Sequence, residues 1–213
     1  MEFTRILAIR HGETTWNQDK RLQGHLDIPL NERGHWQARR AAEALRGEPI
    51  AAVYSSDLAR AHQTASAIAA VLGLGVQAHS GLRERHFGDF QGRTWTELEV
   101  DEPEATLAWR SRVPDFAPRG GGETLLQLRE RIAATLDEIA ARHHGEQIVV
   151  VAHGGVLDIL YRVATGLELQ APRTWTVENA AINRLLWTPE GLNLVGWADS
   201  AHLDAGADDD VSV

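Results

Sequence analysis

The sequence predicts an α/β fold, a three-layer sandwich with a mostly parallel central sheet flanked by helices. Three observations lead there. Short apolar runs alternate with segments of helical period, two of those runs are apolar enough to be covered on both faces, and the helical segments carry capping residues. The 213 residues suit a single domain. At that size about 70% of the extended chain's surface can be hidden, so a core forms without disulfides or metals.

The predicted strands are 5–10, 51–55, 75–79, 147–152, 183–187 and, more weakly patterned, 193–197. The first (RILAIR) and fourth (QIVVVA) read as buried centre strands. Helices are expected at 32–45 behind a capping Asn31, at 58–72 ending at Gly73, at 125–143 behind Thr124, and at 155–165. In the third of these, Leu125, Leu128, Ile132, Leu136 and Ile139 recur at three- and four-residue steps, which places them on one face toward the sheet. Between 88 and 122 the pattern weakens around Pro103, Pro114, Pro118 and the run RGGG, so short helices and a mobile flap placed as a lid are expected. The domain is taken as 1–202, followed by an acidic, disordered tail at 203–213.

Composition excludes several function classes. The chain has no cysteine, which removes disulfides, thiolate metal sites, iron–sulfur clusters and a cysteine nucleophile. No apolar run is long enough to cross a membrane and the N-terminus lacks signal-peptide character, so a cytoplasmic location is the default expectation. Net charge is −9, with Asp199, Asp204, Asp208, Asp209 and Asp210 supplying five of the negatives near the C-terminus. The remainder is mildly acidic, which argues against nucleic acid or anionic membrane as a partner. Lys20 is the single lysine; the other basic residues are arginines.

Two segments echo each other, ILAIRHGE near the start and IVVVAHGG in the last third. Each is an apolar strand ending in His-Gly. Ligands of open parallel sheets sit beyond the carboxyl ends of the strands, so His11 and His153 are expected at one functional edge. Gly12 and Gly154 permit a sharp exit and close approach of a ligand to the backbone. Arg10 precedes the first histidine, and Arg60 falls in the first turn of the helix opening near Leu58, where free N–H groups favour an anion. Two arginines, two histidines and a helix end suit a phosphoryl dianion.

Five segments in order, RHGETTWN, LQGHLDIPLNERG, YSSDLARAHQTA, LRERHFGDFQG and VVAHGG, resemble the histidine phosphatase superfamily, also called phosphoglycerate mutase-like proteins. The resemblance implies that His11 is the nucleophile, forming a phosphohistidine. It implies that Arg10, Arg60, His153 and Gly154 surround the phosphoryl oxygens, with Asn17, Gln23 and Gly24 completing the pocket, and that Glu84 gives a proton to the leaving oxygen. It further implies metal-independent chemistry with no cofactor, and a small phosphorylated metabolite as substrate. The bland reading of Glu84 is an ion pair with Arg83 or Arg85. His25, His86 and Trp16 lie inside the motifs as candidates for the pocket wall. A metal site on His11, Glu13 and His153 lacks a ligand spacing to support it. His35, His79, His143 and His144 read as surface or helix-end residues.

The family contains phosphomonoesterases and cofactor-dependent phosphoglycerate mutases. The stretch WTELEVDEPE is acidic, and the family's mutases carry a longer insertion and a small hydroxyl residue where Gln23 stands, so hydrolysis is favoured. Arg110, Arg112 and Arg119 keep the mutase alternative, because each is placed to reach the pocket from the flap. The third alternative is a phosphate-ligand-binding regulatory protein without turnover. Neither the physiological alcohol nor the oligomeric state is set by the sequence.

Overall fold

The computed structural model describes residues 2–204. In chain order its elements are β1 (Thr4–Arg10), α1 (Thr15–Gln18), α2 (Glu32–Ala44), β2 (Ile50–Ser55), α3 (Ala59–Leu72), β3 (Val76–Ala78), α4 (Trp95–Asp101), α5 (Pro103–Arg110), α6 (Leu125–Ala140), β4 (Gln147–Ala152), α7 (Gly154–Thr165), β5 (Ile182–Thr188), β6 (Gly191–Asp199) and α8 (Ala201–Asp204). The strands form one sheet in the order β3-β2-β4-β1-β5-β6. The first four are parallel to one another, while β5 and β6 join antiparallel at one edge. That edge is a hairpin, because the connection at 189–190 is too short for the crossover that parallel strands need.

All six expected strands fall within two residues of their observed limits. β1 and β4 are the central pair, and Ile148, Val149, Val150, Val151 and Ala152 are completely buried. Their side chains alternate between two apolar clusters. One joins the sheet to α6 and α7 through Ile6, Ala8, Leu128, Ile132 and Leu157; the other joins it to α2 and α3 through Ile9, Ala42, Ala65 and Ile68. Burial of each such aliphatic side chain contributes roughly 1.5–3 kcal/mol.

The caps account for where the helices begin and end. Asn31 Oδ1 accepts from Gly34 N–H at the start of α2, and Thr124 forms a reciprocal capping box with Gln127 at the start of α6. α3 closes on Gly73 at φ +69°, a left-handed conformation that suits glycine. α6 stops three residues short of the expected 143. There Thr4 Oγ1 donates to the carbonyls of Ala140 and His143, satisfying the helix end while the chain turns back toward β4. His143 and His144 therefore lie in that turn and not in the helix.

Between 88 and 122 the chain forms α4 and α5 behind a single turn at Gly88–Phe90. The segment has its own small core: Phe90 and Leu98 are buried, and Trp109 meets the rings of Phe87, Phe90 and Trp95. Leu203 and Asp204, expected to open a disordered tail, instead close α8; the rest of that expected tail lies outside the described residues.

Candidate active site

A cavity of about 470 Å³ opens at the carboxyl ends of β1 and β4. Arg10, His11, Asn17, Gln23, Gly24, Arg60, Glu84 and Gly154 all line it, so the sequence-predicted residues converge on one space. His153 stands immediately behind, its ring centroid 5.2 Å from that of His11. The cause is register: Arg10 pairs with Ala152 across the parallel ladder, which leaves the two histidines level at the strand exits.

The His11 ring is locked. Its Nδ1 lies 2.7 Å from the carbonyl of Gly12. A carbonyl only accepts, so Nδ1 carries the proton and a neutral ring presents a bare Nε2. The main chain is held as firmly, with Asn179 Nδ2 donating to the His11 carbonyl at 2.8 Å and Gly12 N–H donating to Thr64 Oγ1 at 3.0 Å. Gly12 also passes so close to Gly34 that a Cβ on it would sit 2.4 Å from the Gly34 carbonyl oxygen. Burial pushes His11 well below its ordinary pKa of 6.5, and the Arg60 and Arg10 guanidiniums push it further. His153 is lowered in the same way, by burial first and then by Arg60.

The two arginines are anchored by one end and open at the other. Arg60 donates to the carbonyls of Gly24 and Leu26, and Arg10 donates to that of Val177. Among the described residues the Nε of each is buried without a partner, as are both ring nitrogens of His153. Buried donors are normally paired, so the two Nε–H groups and the single N–H of the neutral His153 ring suit an outside group rich in acceptor oxygens. Burial lowers Arg60 to about 10, which leaves it charged at neutral pH. Asn17 Oδ1 takes the Thr14 N–H within a capping box, which leaves its Nδ2 as the open end of the amide. Gly24 adopts φ +54°, with the Gln91 side chain where a Cβ would stand.

Glu84 is not ion-paired with its chain neighbours. Arg83 grips Asp57 through two bonds, and Arg85 donates to the carbonyls of Glu123 and Phe116 with its guanidinium over Trp109. The Glu84 carboxylate instead accepts the Gly155 N–H at the start of α7 and the Arg85 N–H. Its loop is stitched by Arg131, which donates to the carbonyls of Gly81, Arg83 and Glu84 while pairing with Glu123.

Several expectations need correction. Trp16 does line the cavity, but His25 and His86 turn to a neighbouring cleft with Glu123 and Arg131. His25 still touches the site through Nε2, 2.8 Å from the Glu84 carbonyl. Of the three flap arginines, Arg112 reaches the cavity; Arg110 pairs with Glu99 over Trp95, and Arg119 is absent from the wall. The Glu13 carboxylate accepts from the side-chain amides of Gln18 and Asn31. Gly155, Arg131 and Asn179 were not read from the sequence. They act through single N–H groups or on carbonyls, which leaves no pattern of residue types; only the second glycine of HGG offered a signal.

A family model described as Histidine phosphatase superfamily (branch 1) matches residues 6–200. Phosphoglycerate mutase-like protein 4 of Arabidopsis thaliana is 42% identical over 207 residues, spanning 96% of this chain and 89% of that protein. A metal-independent phosphoserine phosphatase, also of Arabidopsis thaliana, is 41% identical, spanning 96% and 85%. The native structure of a mycobacterial glucosyl-3-phosphoglycerate phosphatase superposes with a TM-score of 0.83 at 34% identity, over 93% of this chain and 100% of that one. With a match running from the first strand to the last, the chain belongs to branch 1 of the histidine phosphatase superfamily and is an enzyme with phosphatase activity.

Proposed function

We propose that the protein is a phosphomonoesterase that hydrolyses small phosphate esters through a phosphohistidine on His11. The carrying observation is the locked, neutral His11 ring beside His153, flanked by two buried guanidiniums with unpaired Nε atoms. Arg10, Arg60 and His153 hold the phosphoryl oxygens, with Asn17, Gln23, Gly24 and Gly154 forming the rest of the pocket. His11 Nε2 attacks phosphorus as the ester P–O bond breaks, and Glu84 protonates the departing alcohol. Water then attacks phosphorus as the P–N bond to His11 breaks, Glu84 takes the water's proton, and inorganic phosphate leaves with the His11 ring restored. The site supplies alignment and fixed positive charge, which is most of what phosphoryl transfer requires. No metal or other cofactor enters these steps.

Arg112 on the cavity wall supports a second reading, a cofactor-dependent phosphoglycerate mutase that returns the phosphoryl group to its substrate. Free phosphate release from a panel of esters, measured beside phosphoglycerate isomerisation and repeated with chelator, separates the two. Phosphate release that survives the chelator is expected. Rapid isomerisation with negligible release would overturn hydrolysis.

A further inference from the structure

Glu84 sits in irregular backbone between the single turns at Ser80–Leu82 and Gly88–Phe90. Residues 83–87 belong to neither helix nor strand, so no ladder takes their carbonyls. One side chain takes over that task. Arg131, from α6, donates through Nη1 to the carbonyls of Gly81 at 2.7 Å and Arg83 at 2.9 Å, and through Nη2 to that of Glu84 at 3.3 Å. The Glu123 carboxylate grips the same guanidinium, with Oε1 2.8 Å from Nε and Oε2 2.7 Å from Nη2. A guanidinium has five N–H groups, and these five bonds use all of them. None is left for a substrate, and Arg131 is absent from the cavity wall.

The Glu84 carbonyl meets a second donor from a distant part of the chain. His25 Nε2 lies 2.8 Å from it, and a carbonyl only accepts, so Nε2 carries the proton. The His25 backbone is fixed in turn, its N–H donating to Gln91 Oε1 at 2.7 Å, and the His86 ring packs edge-on against the imidazole. The other end of Glu84 is held separately, its carboxylate accepting the Gly155 and Arg85 N–H groups. Three rotatable bonds separate the two ends, so the tip keeps one aim only while the backbone beneath it is fixed.

We infer that Arg131 and His25 are positioning residues for Glu84: by pinning its carbonyl they aim its carboxyl at the oxygen of the departing alcohol. This rests on the phosphatase reading, in which a proton passes from the Glu84 carboxyl to the ester oxygen as the P–O bond breaks. A misplacement of about 1 Å costs on the order of 100-fold in rate. An alkyl phosphate bears that loss in full, because its alkoxide must be protonated as it leaves. 4-Nitrophenyl phosphate bears little of it, because nitrophenolate is stable without the proton.

The test compares kcat/KM for propyl phosphate and 4-nitrophenyl phosphate, since this parameter covers formation of the phosphoenzyme, the step in which the ester oxygen leaves. Loss of folded protein lowers both esters alike and cancels in their ratio. Glu84→Gln is expected to lose about 100-fold or more on propyl phosphate and at most about fivefold on 4-nitrophenyl phosphate. Arg131→Lys keeps the charge but not the five-donor fork; it is expected to lose about 10- to 100-fold on the first and less than about threefold on the second. His25→Ala, at a half-buried ring outside the apolar clusters, is expected to show the same split at about 5- to 20-fold, and His25→Gln, whose amide again offers a donor, to recover most of it. If Arg131→Lys does not fold, the two His25 variants decide. If Glu84→Gln shows the split while Arg131→Lys and His25→Ala lower both esters equally or neither, the positioning role is overturned and the acid stands. If Glu84→Gln shows no split, the acid assignment fails and the positioning role falls with it.

Discussion

The protonation and orientation of the His11 ring are set by its surroundings. Burial and the two nearby guanidiniums keep its ring neutral far into mild acid, and the Gly12 carbonyl decides which nitrogen is bare. The acid limb of kcat/KM is therefore expected below pH 6.5, the ordinary imidazole value, with activity lost only as pH falls through the lowered one. Arg60→Gln removes a charge that opposes protonation, so the limb is expected to move to higher pH as phosphate affinity falls; a pH profile of the variant checks both. His11→Ala is expected to lose at least about 10³-fold in kcat/KM, together with the acid-labile phosphoryl adduct trapped from wild type. Wild-type turnover in that variant would falsify the nucleophile. These residues were legible because a strand ending in His-Gly is a local pattern that occurs twice. Arg112 was only half legible, since its place on the cavity wall depends on how the flap packs, and no spacing along the chain encodes that.

At the scale of the element, α7 does two jobs with its first turn. His153 occupies the N-cap position, its side chain making no cap bond, and the Gly155 N–H holds the Glu84 carboxylate. A Cβ on Gly155 would fall 2.3 Å from Glu84 Oε1, at the movable end of a side chain. Gly155→Ala is thus expected to displace Glu84, lowering kcat by about tenfold to a hundredfold while leaving the melting temperature nearly unchanged. Gly34→Ala is the contrasting case. Its Cβ would fall on the Glu13 carbonyl oxygen, which is main chain and cannot step aside. There a stability loss of about 2–4 kcal/mol is expected, read as a lower urea midpoint. Strand and helix positions were readable from period and caps, as Asn31, Gly73 and Thr124 illustrate. The end of α6 was not, because Thr4, more than a hundred residues away, terminates it.

For the molecule as a whole, the two buried histidines make stability depend on pH in a stated direction. Folded, both are held well below 6.5; unfolded, each returns to about that value. Below 6.5 the unfolded chain binds more protons than the folded one, so stability is full above that pH and declines as pH falls toward the lowered values. His25 and His202, also lowered by burial, act with the same sign. Urea midpoints are expected to be lower at pH 5.5 than at 7.5, and His153→Gln is expected to narrow the difference. A midpoint that rises on acidification would contradict the assignment.

The parallel alignment that sets Arg10 against Ala152 has a consequence for how the enzyme is made. Slipping one of those strands by a residue would turn its alternate side chains inside out and part the two imidazoles, so no misaligned sheet retains a working centre. Affinity for inorganic phosphate should consequently serve as a gauge of correct zippering during refolding, returning only once the first strand has found the one that follows it by more than a hundred positions.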